Sequence, residues 1–464
     1  MRKTHRYLPN SVGTIENNML RRIQKRSVED LYSDVEDQIV LKDELELPTA
    51  LSEPELDREV RKILGKNRTI CEIPAFLGCG VWPHFVPAAV DAIVGRTEFY
   101  TSYTPYQAEI SQGMLQALFE YQSLMAELLA MDVVNSSMYD WASALGEAAR
   151  MAARITHRNR ILVGRAIDPS RLSVLRAYTE PANLGIDFIE EDSRTGQVDI
   201  PDLKEKITGD HGAVYIENPN FFGCIESRVH DIGEIAHEKG ALFMVGVDPV
   251  SLGILEAPGN YGADLVVGEG QPLGSHMNFG GPLLGIFACR NDSGMLRQMP
   301  GRLIGLTGSL DDKRRGYCMV LQTREQHIRR ERATSNICSN EALCAIAASV
   351  YLSLLGPEGM RRLGENIVRR SHYAMSKLSR IEGVKAPLFD SCHFKEFVLN
   401  LNTNRARIEG VHEKLLEKGV QGGRIIKHDF PRYGESAVYC VTETHSQEDI
   451  DKLTAALRAA LEES

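Results

Sequence analysis

Between residues 160 and 290 the chain alternates short runs that are apolar almost throughout with stretches of helical period, and this rhythm restricts the fold more than any other feature. The runs Arg160–Arg165, Ile186–Glu190, Ala213–Glu217, Leu242–Asp248, Asp264–Val267 and Leu283–Cys289 read as strands. Pro201–Thr208 and Val229–Lys239 read as helices between them. A strand with one wet face alternates polar with apolar residues. Strands that do not alternate are covered on both faces, as in a mostly parallel sheet with helices on either side. The fold class is therefore α/β. Upstream, Leu115, Leu118, Met125, Leu128 and Leu129 recur at helical spacing and predict a long amphipathic helix over Ile110–Met131.

Composition shifts divide the chain. Residues 1–69 are charged and helix-prone, broken by Pro48 and Pro54, and too poor in apolar side chains to form their own core; an arm is expected. Residues 70–334 form the large domain. Residues 335–464 read as a smaller carboxy-terminal α/β domain. In it, a helix Ser339–Leu355 stops at Gly356-Pro357 and a second helix runs to about Arg380. A strand near Phe394–Leu401, a helix to Glu417 and a strand Ala437–Val441 follow. The last helix opens with Ser446 and Asp449 at capping-box spacing. The balance of 53 basic against 63 acidic residues argues against nucleic-acid binding. No apolar run approaches membrane-spanning length and Met1–Asn10 carries no recognisable export or organelle signal, so no membrane and a cytoplasmic location are expected. The nine cysteines form no Cys-x-x-Cys pair and are expected as buried, reduced thiols. His84 has no second ligand at metal spacing, and no metal site is expected.

The chemistry that suits such a scaffold narrows quickly. Leu77–Trp82 offers Gly78 and Gly80 but lacks the third glycine of a dinucleotide fingerprint. Ser136–Ala144 precedes a helix running to about Ile155. There Asp140 can cap, and the small residues Ala142 and Ser143 would let an anion approach the positive helix end. A long helix, a helix start with small residues, a strand ending in Asp248 and a glycine-rich loop together resemble the layout of fold-type-I pyridoxal-phosphate enzymes. In those, the aspartate pairs with the pyridine nitrogen, and a lysine beyond the next strand forms a Schiff base with the cofactor. No lysine lies between Lys239 and Lys313, nor between Lys66 and Lys204. Three readings stand: a scaffold that works with a partner, a stand-alone enzyme using an atypical lysine such as Lys313, or an interaction protein without chemistry.

Three longer motifs carry a specific resemblance. They are Tyr103-Thr-Pro-Tyr-Gln-Ala-Glu-Ile-Ser-Gln-Gly113, Gly268-Glu-Gly-Gln-Pro-Leu-Gly274 with Phe279-Gly-Gly-Pro282, and Leu321–Arg330 with Ala333-Thr-Ser-Asn-Ile-Cys338. With His5-Arg-Tyr-Leu-Pro-Asn10 they closely resemble the glycine decarboxylase P-protein family of the glycine cleavage system, specifically subunit 1 of its two-chain form. The resemblance spans essentially the whole chain. It implies a partner, subunit 2, that carries the pyridoxal phosphate on its own lysine, in an assembly of two chains of each kind. Counted back from Gly280-Gly281-Pro282, the lysine position falls on Gln271 here. The implied reaction is decarboxylation of glycine, with the aminomethyl group passed to the lipoyl arm of H-protein. Functional links to the T- and L-proteins are implied as well. Where related subunits usually have glycine after the helix-start aspartate, this chain has Trp141, which marks its own cup as vestigial.

Two groups of polar residues remain as site candidates. Tyr103, Thr104, Tyr106, Gln107 and Glu109 form a polar, aromatic loop. It reads either as a lining of the shared active site or of the channel for the lipoyl arm, or as an interface loop whose hydroxyls bond to backbone. Arg324, His327, Arg329, Arg330 and Arg332 form a basic cluster, expected as a solvated helix face or interface ion pairs, or as a docking site for an acidic carrier such as H-protein. Asp248, without a lysine, is expected as a buried, hydrogen-bonded carboxylate.

Overall fold

The computed structural model describes residues 4–463 apart from 44, 279, 310–313, 339 and 403–405. Phe279, Lys313 and Ser339 lie outside the described residues. The chain divides into two compact units, residues 1–68 and 69–464. The first contains the helices Gly13–Arg22 and Glu53–Leu64. The latter opens on a reciprocal capping box between Ser52 and Glu55 and has no buried residue.

The second unit is built around a seven-stranded sheet. Its strands are β1 (Val133–Val134), β2 (Arg160–Gly164), β3 (Gly185–Ile189), β4 (His211–Glu217), β5 (Leu242–Val247), β6 (Leu265–Glu269) and β7 (Gly285–Cys289). Their spatial order is β1-β7-β6-β5-β4-β2-β3. The five strands β2 to β6 run parallel, while β7 is antiparallel to β6 and to β1. Every residue of β4, β6 and β7 is buried, which is why their sequences show no alternation. One face packs against the helices Gln112–Leu129 and Val229–Glu238 through Leu115, Leu118, Ile232 and Ala236. The other packs against Trp141–Thr156 and Pro169–Thr179 through Ala144, Leu145, Ala148 and Leu175.

An antiparallel hairpin of β8 (Leu303–Gly308) and β9 (Arg315–Val320) follows. The helix Ala342–Leu378 is interrupted at Gly356 (φ 58°, ψ −176°), where the Gly-Pro pair predicts a stop. Before the break, Ala345, Ile346 and Tyr351 join the core of the large sheet. Near its end, Ala374, Met375 and Leu378 join that of a second sheet. This helix does contain a stretch long and apolar enough to span a bilayer, contrary to the expectation that no such run exists. Within it, Ala345, Ile346 and Tyr351 are buried against the large sheet and the helix breaks at Gly356. The second sheet consists of β10 (Val384–Lys385), β11 (Glu396–Leu401), β12 (Arg424–Ile425) and β13 (Ser436–Cys440), in the antiparallel order β10-β11-β13-β12. The helices Ile408–Glu417 and Gln447–Glu462 cover it, the latter capped by Ser446 and Asp449. The cysteines correct one expectation: Cys224, Cys289, Cys344 and Cys440 are buried, but Cys71, Cys338 and Cys392 are exposed.

Candidate functional site

At the start of the helix Trp141–Thr156, the groups expected to line a phosphate cup bind each other. Asp140 Oδ1 accepts from Ser143 N at 2.6 Å, and Ser143 Oγ accepts from Asp140 N at 3.2 Å. Ala142 is half-buried beside them. The first helical N–H, that of Trp141, donates to Glu269 Oε2 at 3.2 Å. Glu269 Oε1 also accepts from Gln271 N at 3.0 Å and Leu284 N at 2.9 Å. A carboxyl group at the end of β6 thus occupies the place where a helix start attracts an anion. Burial pushes the Glu269 carboxyl up to about 8 despite these three donors.

At the end of β5, Asp248 is buried and accepts from Val250 N at 3.1 Å. Its Oδ2 lies 2.6 Å from Nζ of Lys395, a residue 1% exposed that immediately precedes β11. The ammonium also donates to His84 Nε2 at 3.1 Å and sits 3.8 Å above the Trp82 ring. His84 Nδ1 meets Glu443 Oε2 at 2.9 Å. Burial, and then the Lys395 charge, hold His84 below its usual pKa. The partners fit a neutral imidazole that donates from Nδ1 to Glu443 and accepts at Nε2 from Lys395.

The remaining space is filled by a second network. Trp141 Nε1 donates to the Tyr215 hydroxyl at 3.0 Å, which donates to Glu217 Oε1 at 3.1 Å. Arg171 forks onto Glu217 with two 2.8 Å bonds and stacks 4.0 Å from the Trp141 ring centre. Between Trp82, Trp141, Arg171, Asp248 and Glu396 a cavity of about 10 Å³ is left, room for one water. Gln271, at the lysine position, is buried; its Oε1 accepts from Trp82 N at 3.1 Å and its Nε2 donates to Ser275 O at 2.8 Å. Pyridoxal phosphate does not fit these residues. Glu269 holds the anion position, an ammonium and two indoles hold the ring space, and an amide replaces the imine-forming amine. Sequence reasoning missed Lys395 because it looked only at the segment after Asp248. The available signal was a Lys-Glu pair at the head of an otherwise apolar strand.

The other candidates come together elsewhere in this unit. Tyr103, Tyr106, Gln107 and Glu109 are exposed and Thr104 is half-buried. The His327 ring packs edge-on against Tyr106, with centroids 5.6 Å apart. Arg329 and Arg330 are exposed in the same turn. Arg324 corrects the expectation of a docking cation: it is buried and donates to the carbonyls of Leu321, Met299 and Gly301, so it braces the turn from inside. Sequence reasoning also missed Arg302, whose guanidinium reaches Thr104 and Tyr106. Among the described residues no group of three or more His, Cys, Asp or Glu side chains could hold a metal ion.

The family described as glycine cleavage system P-protein matches residues 5–457. The chain is 51% identical over 452 residues to the probable glycine dehydrogenase (decarboxylating) subunit 1 of Thermococcus onnurineus, covering 97% of this chain and 98% of that protein. It is likewise 51% identical over 457 residues to the protein of the same name from Pyrococcus furiosus, covering 98% and 99%. A crystal structure of glycine decarboxylase (P-protein) of the glycine cleavage system in inhibitor-bound form superposes with a TM-score of 0.86 at 38% identity, over 99% of this chain and 100% of that one. A sphingosine-1-phosphate lyase of Burkholderia pseudomallei superposes with a TM-score of 0.65 at 15% identity, over 93% and 94%, a likeness of fold alone. The fold is that of the fold-type-I pyridoxal-phosphate enzymes.

Proposed function

The chain belongs to the glycine cleavage system P-protein family, and on that premise we propose that it is the cofactor-free subunit of a two-chain glycine dehydrogenase (decarboxylating). The pyridoxal phosphate is carried by subunit 2, two copies of each chain assemble in the cytoplasm, and the lipoyl arm of H-protein takes up the aminomethyl group. The T- and L-proteins act on the loaded carrier afterwards. The cofactor, bound to the partner, supplies the electron sink for loss of CO₂ from glycine. This chain contributes a wall. Tyr103, Thr104, Tyr106, Gln107 and Glu109 orient substrate or carrier arm and exclude water, while Arg329 and Arg330, beside His327, attract the acidic carrier.

The observation that carries this reading is the filled cup: a scaffold whose lysine position is Gln271 and whose aspartate is bound to Lys395 has no room to work alone. The test is to add pyridoxal phosphate to the purified chain, reduce with borohydride and weigh the intact protein, with and without subunit 2. The expected result is an adduct on subunit 2 only, with glycine decarboxylation only in the mixture. Stoichiometric trapping on one lysine of this chain alone, Lys395 and Lys313 included, would overturn it.

A further inference from the structure

The loop Tyr103–Glu109 and the turn Arg324–Cys338 are distant in sequence, and one side chain belonging to neither ties them together. Arg302 stands just before β8. Its backbone is fixed on both sides: its carbonyl accepts from Ser136 N at 2.8 Å, and it follows Gly301, which has φ +73° and no room for a Cβ beside Asn135 Nδ2. Its side chain is 6% exposed. Nη1 donates to Thr104 Oγ1 at 3.3 Å, and Nη2 donates to the Tyr106 hydroxyl at 2.9 Å and to Cys338 O at 2.7 Å. The guanidinium carbon lies 5.1 Å from the Tyr106 ring centre. Nε faces Glu325 Oε2 at 3.9 Å, and that same oxygen is 3.5 Å from His327 Nδ1. The planar fork fixes the direction of each N–H, so it sets angles as well as distances.

What the fork holds is not core. Tyr106 is half exposed, and Cys338 and His327 are exposed. A buried cation that spends its donors on an exposed phenol and a surface loop carbonyl is shaping a surface. We propose that Arg302 is a positioning residue for the reaction, holding Thr104, Tyr106 and His327 in the geometry that this wall presents to the cofactor-bearing subunit. The inference rests on the reading that this face walls the shared site.

The test uses the full chain assembled with subunit 2, carrying Arg302→Lys, Arg302→Gln or Tyr106→Phe. Size exclusion reports assembly, glycine titration of the cofactor's visible absorbance reports binding, and turnover gives KM and kcat. The expected result is wild-type stoichiometry with kcat/KM lowered about tenfold or more, the scale of a misplaced contact. The double variant Arg302→Lys with Tyr106→Phe should be no worse than the poorer single one, because the bond that Tyr106→Phe removes is one of those the Arg302 fork makes. Wild-type titration and turnover with Arg302→Gln would overturn the proposal, as would additive losses in the double variant. If Arg302→Gln does not fold, the other two variants decide, and wild-type values in both would overturn it. Tyr106→Ala separates the proposal from its premise. An assembled complex untouched by Tyr106→Ala means that the face is not part of the site. Loss with Tyr106→Ala but not with the Arg302 variants means only that Arg302 does not position it.

Discussion

A buried ammonium survives only beside groups that compensate for its lost water, and Lys395 has three: the Asp248 carboxylate, the His84 imidazole and the Trp82 face. The backbone at Lys395 takes φ 62°, a conformation that L-residues seldom adopt, so the surrounding structure holds it there. Removing one member of such a pair strands the other. Lys395→Met is expected to cost about 3–5 kcal/mol, because it leaves the Asp248 carboxylate with a single main-chain donor. Urea unfolding of Lys395→Met, Asp248→Asn and the double variant measures this, and the two single losses should not add. A loss below about 1 kcal/mol for Lys395→Met would show that the pair does not hold the pocket closed. In the sequence only the Lys-Glu pair ahead of a largely apolar strand hinted at this. The absence of a lysine after Asp248 could be read directly, but not that a lysine from a different sheet, far along the chain, had taken the space.

Elements were more legible than their contacts. The runs that became β4, β6 and β7 showed no alternation because both of their faces are buried, and Gly356-Pro357 marked the break in the long helix. The β8–β9 hairpin escaped because its residues from Gly305 to Gly308 are half-buried or exposed, mixing glycine, leucine and threonine without a clean period. At the helix start, sequence pointed to an anion-binding end, but the group found there is the chain's own Glu269 carboxyl. That contact has a pH signature. With a folded-state value of about 8 against an ordinary 4.5, the carboxyl is fully compatible with folding below about pH 4.5. As pH rises from there to about 8, the folded state holds a proton that the unfolded state has released, so stability falls by roughly 1.4 kcal/mol per pH unit. Glu269→Gln cannot titrate. The stability difference between wild type and Glu269→Gln should therefore shift in favour of the variant as pH rises from 5 to 8. A difference that stays flat over that range would mean that Glu269 is ionised throughout, stabilised by its three N–H donors.

On the scale of the whole molecule, the net charge of −10 makes a local cationic patch conspicuous, because an acidic carrier is repelled by most of the surface. The sequence identified the patch as a run of arginines but could not sort it, since spacing along a short turn does not say which side chains point inward. The structure does so: Arg324 is buried and spent on the carbonyls of Leu321 and Gly301, whereas Arg329 and Arg330 are exposed in the same turn as His327, Arg329 giving only its Nε to Thr323 O. It also joins two motifs that the sequence left separate, through Arg302. If the outward pair steers the lipoyl carrier, Arg329→Glu with Arg330→Glu should lower kcat/KM for H-protein about tenfold in 0.05–0.1 M salt, through slower encounter rather than slower chemistry. The deficit should shrink as the Debye length falls from about 10 Å at 0.1 M to about 3 Å at 1 M. Turnover with free lipoamide, which carries no acidic protein, should be unchanged. Since in this reading the pair only steers the carrier, assembly with subunit 2 and its glycine titration should also stay as they are. A deficit that persists at high salt, or that appears equally with free lipoamide, would assign the pair to the subunit interface or the wall instead of to carrier encounter.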